Sequence, residues 1–156
     1  MNKGEIETMA KILKRAGLIV CGLFILIQFV PYGRDHANPP VAQEPSWYSP
    51  ETRPIAARAC FDCHSNETRW PLYSMVAPVS WLTYNDVNEG RNELNFSDWS
   101  RVHKDADDAA EEVLSGGMPP WYYLPMHPQA KLTRSERVTL ARGLTAMLRS
   151  RAMESR

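Results

Sequence analysis

Two thiols and an imidazole fall within one short stretch, Cys60-Phe61-Asp62-Cys63-His64. The C-x-x-C-H spacing is that of c-type haem attachment. In that chemistry each thiol adds across one vinyl group of the porphyrin, and the two-residue gap matches the vinyl separation when the segment forms one helical turn. The adjacent histidine then lies under the iron and supplies its proximal nitrogen. Three other chemistries compete for these residues. A thiol oxidoreductase uses C-x-x-C but needs a βαβ pattern, and the chain has no strand-like alternation of useful length. A zinc site usually takes four ligands, and no second cysteine pair exists. A plain disulfide is open to an exported protein. The remaining cysteine, Cys21, sits in an apolar run and reads as membrane filler, with S-acylation as its sharper alternative.

A haem iron held by His64 has a sixth position to fill. The stretch from Ser115 to Pro128 reads SGGMPPWYYLPMHP. Gly116 and Gly117 permit close backbone approach to a flat ligand, and Pro119 and Pro120 stiffen the segment behind Met118. A thioether in a stiff loop suits the weak bond from iron to methionine, and a His/Met pair raises the reduction potential for electron transfer. Met126 and His127 are rivals, and His127 implies bis-histidine ligation. His103 lies in a charged stretch and reads as a surface residue, while His36 lies in a tether. Arg69, Trp70, Tyr73, Trp81 and Arg91 are candidates to contact the haem or its propionates. A backbone carbonyl near Pro71 or Pro78 is the expected acceptor for the second ring nitrogen of His64.

These residues need elements to hold them. Thr52–Ala59 reads as a short helix leading into Cys60, with Thr52 as cap and Pro54 in its first turn. Val79–Asn88, Phe96–Val102 and Asp105–Leu114 are further expected helices. Thr133-Arg134-Ser135-Glu136 is a capping box, followed by Val138, Ala141, Leu144, Thr145 and Leu148 at helical spacing. Asn38–Pro50 carries four prolines and reads as a linker or wrapping strap, with Trp47 and Tyr48 packing part of it down. Twelve prolines and five tryptophans in 156 residues fit an irregular, proline-rich domain with flat surfaces to cover, by a porphyrin or by an ordinary core. The expected fold class is mainly α, a cytochrome c-like helical domain with proline-rich loops.

Ala16–Val30 is apolar except for Gln28, and with Pro31 and Tyr32 it comes close to the roughly 17 residues of a minimal spanning helix. Lys3, Lys11, Lys14 and Arg15 precede it, so the positive-inside tendency keeps the N-terminus in the cytoplasm and exports the remainder of the chain. A cleaved signal peptide competes, but Tyr32–Ala37 offers no small-x-small site. The expected organisation is a cytoplasmic N-terminus over 1–15, one transmembrane anchor or uncleaved signal over 16–32, a linker over 33–51 and a haem-binding domain over 52–156.

The chain resembles a family of bacterial haem-binding-domain proteins, small and anchored, with a single C-x-x-C-H. The resemblance runs through Gln28-Phe29-Val30-Pro31, Asn38-Pro39-Pro40, the Cys60–Ser65 motif and Trp70-Pro71-Leu72-Tyr73. It continues in Ala77-Pro78-Val79-Ser80-Trp81, Leu94–Trp99, Gly117-Met118-Pro119-Pro120, Tyr123 and His127-Pro128, and ends in Ala130 and Leu132. It implies a cytochrome c-like domain with one covalent haem c on Cys60, Cys63 and His64, and leaves the choice among Met118, Met126 and His127 open.

Eighteen basic and eighteen acidic residues leave no net charge to mark a nucleic-acid footprint. Asp86–Glu112 is acidic and Lys131–Arg156 basic, so either face is available to a redox partner protein, against the plainer reading of solvated helix faces. The function expected is one-electron transfer by a membrane-anchored monohaem cytochrome on the periplasmic face of a bacterial inner membrane. The alternative is a haem-based sensor or a peroxidase-like enzyme with an open sixth position.

Overall fold

A computed structural model describes residues 2–101 and 108–154. Among the described residues the chain forms six α-helices and no named strand, in agreement with a mainly α class. They are α1 (Lys3–Ile27), α2 (Thr52–Ala59), α3 (Phe61–His64), α4 (Val79–Glu93), α5 (Ala109–Ser115) and α6 (Arg134–Glu154). The chain divides into two compact units. One comprises residues up to His36 together with Pro71–Tyr84, and the other comprises Ala37–Trp70 and the residues from Asn85 onward.

In the first unit, Asn2 and Glu5 close a capping box that starts α1 ahead of the basic residues, rather than at Ala16. The helix stops at Ile27, before Phe29 and Val30. Its uninterrupted apolar part, Ala16–Ile27, is about 18 Å long at 1.5 Å per residue, against roughly 30 Å of hydrocarbon. No described helix is long and apolar enough to cross a membrane, so the spanning helix expected over 16–32 is not supported. Gln28 ends α1 and pairs amide-to-amide with Ala77. Its Nε2 donates to the Ala77 carbonyl at 2.9 Å, and the Ala77 N–H donates to its Oε1 at 3.0 Å. The pairing ties a turn of 3-10 helix at Leu72–Met75, and the start of α4, to the end of α1.

In the second unit, α2 forms over the expected residues. Thr52 is not its cap, because its hydroxyl meets Ser49 (3.0 Å) while Glu51 occupies the cap position. The capping box before α6 is formed, with the Glu136 N–H on Thr133 Oγ1 (3.2 Å) and the Thr133 N–H on Glu136 Oε2 (2.8 Å). Leu132, Leu140, Leu144, Met147 and Leu148 make one side of the core. A stack of rings makes the other, with Phe96 5.4 Å from Trp47, 5.5 Å from Phe61 and 6.0 Å from Trp99. Both tryptophans serve an ordinary core. Trp47 thus fixes the proline-rich segment as a strap, whereas Tyr48 stays exposed.

The helix expected over Phe96–Val102 is not there in its described part. Local and long-range partners take the backbone groups that a helix needs. Asn95 Oδ1 accepts the Ser97 N–H (2.8 Å), the Phe96 N–H reaches the His64 carbonyl (2.8 Å), and the strap pairs with Ser97 and Trp99 through Ala42 and Gln43. In place of Asp105–Leu114, α5 begins at Ala109, and residues 105–107 lie outside the described residues, as does His103.

Candidate functional site

The backbone between α2 and α3 turns at Cys60, whose carbonyl accepts the N–H groups of Cys63 (3.1 Å) and His64 (2.8 Å). That turn brings Cys60, Cys63 and His64 to one wall of a cavity of about 480 Å³, within the range of roughly 300–1,000 Å³ usual for small-molecule sites. Phe96, Val113 and Leu144 supply apolar wall. The thiols are not bonded to each other. Burial pushes the Cys60 thiol up to about 12, and burial with Asp86 and Asp62 nearby takes Cys63 to about 12 as well. Such thiols stay protonated at neutral pH, the opposite of the lowered pKa that a thiol oxidoreductase requires. Among the described residues no group of three or more His, Cys, Asp or Glu is arranged to hold a bare metal ion, which counts against zinc.

His64 is oriented by α4. Its Nδ1 lies 2.9 Å from the Gly90 carbonyl and 3.1 Å from that of Leu94. Both partners are acceptors, so Nδ1 carries the proton and Nε2 is the basic nitrogen. The expected carbonyl near Pro71 or Pro78 is not the acceptor, since a helix one turn long at 61–64 presents the ring to α4 instead. The close approach depends on Gly90. A Cβ at that position would lie 2.7 Å from the Cys63 carbonyl oxygen and 3.1 Å from Cys63 Cβ.

Met118 lines the same cavity, half-buried and packed on the core. Gly116 ends α5 in the left-handed region (φ 91°), and the Glu112 carbonyl accepts the N–H groups of both Gly116 (3.2 Å) and Met118 (3.1 Å). The two glycines therefore cap a helix rather than line the cavity. Met126 is exposed and outside the lining. His127 is also outside it, stacked on Tyr123 with ring centroids 3.9 Å apart, and burial lowers its pKa. The rivals are thus separated, with Met118 in the wall and Met126 and His127 away from it.

Tyr123 does line the cavity, and its hydroxyl donates to Asp62 Oδ2 at 2.7 Å. Asp62 also takes Arg69 Nε at 3.2 Å and Nη2 at 3.3 Å. This carboxylate, inside the C-x-x-C-H turn, links the turn to the methionine-bearing segment. Within the second unit, Trp70 and Arg91 lie outside the lining. Trp70 donates to Asn38 Oδ1 (3.3 Å), and Arg91 is spent on the Ser65 carbonyl (2.8 Å), Asn38 and Thr68. Tyr73 and Trp81 belong to the first unit, while every lining residue belongs to the second. Sequence reasoning missed Gly90 and Leu94, whose signal was only their place in a helix after the motif. The acidic stretch Asp86–Glu112, read from the sequence as a docking face, also supplies the cavity rim through Asp86, Glu89, Glu93, Asp108 and Glu112. Asp86 is held above the usual carboxylate range, chiefly by burial, against a hydrogen bond from Tyr122 that lowers it.

The donor set fits haem: two thiols in one turn, an imidazole with a fixed tautomer and a thioether share an apolar cavity. Among the described residues no Lys or Arg lines it. A family model described as haem-binding domain matches residues 22–146. No curated protein and no solved structure matches the chain.

Proposed function

The chain belongs to the haem-binding domain family, and on that premise we propose that it is a single-haem c-type electron carrier, attached to a membrane outside the cytoplasm. The observation that carries the reading is one cavity walled by Cys60, Cys63, His64 and Met118. The bound group supplies a one-electron iron couple. Cys60 and Cys63 would hold the group through thioethers, each formed by adding S–H across a vinyl C=C with no oxidant required. His64 would offer Nε2 to the iron, held by its Nδ1–H on α4. Met118 would offer Sδ from a segment pinned by Gly116, Pro119 and the Tyr123–Asp62 bond, and a His/Met pair favours a raised potential.

Attachment is assigned to the apolar residues of α1 and those just after it. The basic residues of α1 support an N-terminus on the cytoplasmic side, and the c-type motif supports a body on the periplasmic side of a bacterial inner membrane. A redox partner protein exchanges the electron.

The test is holoprotein from cells that mature c-type haems, run on a denaturing gel stained for haem, then oxidised and reduced spectra of wild type, Met118→Ala and Met126→Ala. The expected result is gel-stable haem and a weak near-infrared iron–sulfur band lost only in Met118→Ala, with carbon monoxide binding gained by that ferrous variant. Absence of gel-stable haem refutes covalent attachment. Carbon monoxide binding by the wild type refutes the six-coordinate carrier in favour of a sensor or peroxidase-like site.

A further inference from the structure

The first unit has a surface that water does not explain. Leu72 is 92% exposed and Phe29 79%, and Met75, Val76, Val79 and Leu82 are exposed with them. All belong to one compact unit, and the Gln28–Ala77 amide pair bolts their turn to the end of α1. None of the residues of α1 is buried. Whatever covers the apolar end of α1 therefore has the 72–82 turn within its reach.

The polar groups of this unit point to the same occupant. Arg34 has no ion-pair partner among the described residues, and its guanidinium makes one weak bond, Nη2 to Gln28 Oε1 at 3.3 Å. Beyond the end of α1 the unit carries one basic side chain, Arg34, and one acidic side chain, Asp35. Apolar side chains set among aromatic rings and a cation lacking a carboxylate are what a lipid interface accepts, where ester and phosphate oxygens satisfy N–H donors.

We propose that the segment Leu72–Leu82 is a second membrane-contacting element, seated in the interface of an anionic bilayer beside the end of α1, with Arg34 at the lipid phosphates. It rests on the membrane attachment proposed above and adds that the turn itself enters the lipid. The first unit would then be held at two places on the bilayer.

The test uses full-length holoprotein with Cys21→Ser, in vesicles of phosphatidylcholine with phosphatidylglycerol. Leu72→Cys or Val79→Cys is compared with Tyr48→Cys, an exposed position in the other unit, for reaction with a charged, impermeant maleimide and with an apolar one. The expected result is labelling by the charged reagent at least tenfold slower at positions 72 and 79 than at 48, while the apolar reagent reacts freely at all three. Adding Arg34→Gln should raise charged labelling at position 72 about fivefold, the factor for one interfacial cation. Equal charged labelling at 72 and 48 in protein that still floats with vesicles overturns the proposal and leaves attachment standing. Failure to float overturns both. Shielding of position 72 from both reagents means a protein partner or second copy covers the turn, and also overturns it.

Discussion

Gly90→Ala isolates the contact that lets α4 serve as a support for the His64 imidazole. A methyl group there meets Cys63 backbone at 2.7 and 3.1 Å and its Cβ at 3.1 Å, and backbone on both sides leaves little to give way. Overpacking of this kind costs about 1–3 kcal/mol, while Gly to Ala in a helix interior returns about 1 kcal/mol. The net expectation is a loss of roughly 0–2 kcal/mol, centred on about 1 kcal/mol and read as a lower denaturation midpoint at unchanged slope. Relief of the clash requires α4 to move away from the 60–64 turn. That lengthens the 2.9 Å contact from Nδ1 to the Gly90 carbonyl, so the ligand becomes a weaker donor and the midpoint potential rises. Gly17→Ala, where a Cβ meets nothing within 4 Å, is the control and should show neither effect. The reasoning is refuted if Gly90→Ala matches wild type in both denaturant midpoint and potential.

Tyr123→Phe removes the 2.7 Å bond to Asp62 and should lower stability by about 1–2 kcal/mol, in line with hydrogen bonds to charged groups. In ferrous holoprotein it should also raise the rate of carbon monoxide entry by loosening the segment that carries Met118, and an unchanged rate counts against that link. Apoprotein should lose stability as pH rises from the ordinary thiol value of 9.0 toward about 12. In that window an unfolded thiol sheds its proton while the buried one keeps it, so rising pH favours unfolding. Thioethers cannot ionise, so holoprotein should lack this slope, and identical alkaline curves for the two forms would contradict it. Asp86→Asn should raise the midpoint potential by a few tens of mV, about 1 kcal/mol of lost stabilisation of the oxidised charge. It should also flatten the fall in wild-type potential as pH rises through the Asp86 ionisation, above its ordinary 3.8, as measured by redox titration across acid pH.

The parts of the fold that the sequence announces are those set by neighbours in the chain. The turn at Cys60, the helix over Thr52–Ala59 and the capping box at Thr133 all depend on residues within four positions, and the structure contains them. Met118 is marked by the glycines and prolines beside it, though Gly116 caps α5 rather than making room for a ligand. The misses involve partners far along the chain. His64 finds its acceptors 26 and 30 residues away. The segment after Asn95 gives up helix for the strap and for His64, and Trp70, one of the aromatic residues expected at the cofactor, donates to Asn38. Nothing in a local pattern distinguishes a tryptophan packed on a porphyrin from one packed on another part of the protein.

The two carbonyls that hold His64 sit at the C-terminal end of α4, and the Gly90 oxygen also closes the helix by accepting the Leu94 N–H at 2.9 Å. This end carries the negative pole of the aligned peptide dipoles. The imidazole N–H is thus set against a partial negative charge built from the backbone, which pushes electron density toward the opposite nitrogen. In the proposed carrier the iron's appetite for electrons would read out how well one helix end is wound. Substitutions at Asn92 or Glu93 that fray or tighten that last turn should shift the potential without changing a single residue that binds the iron.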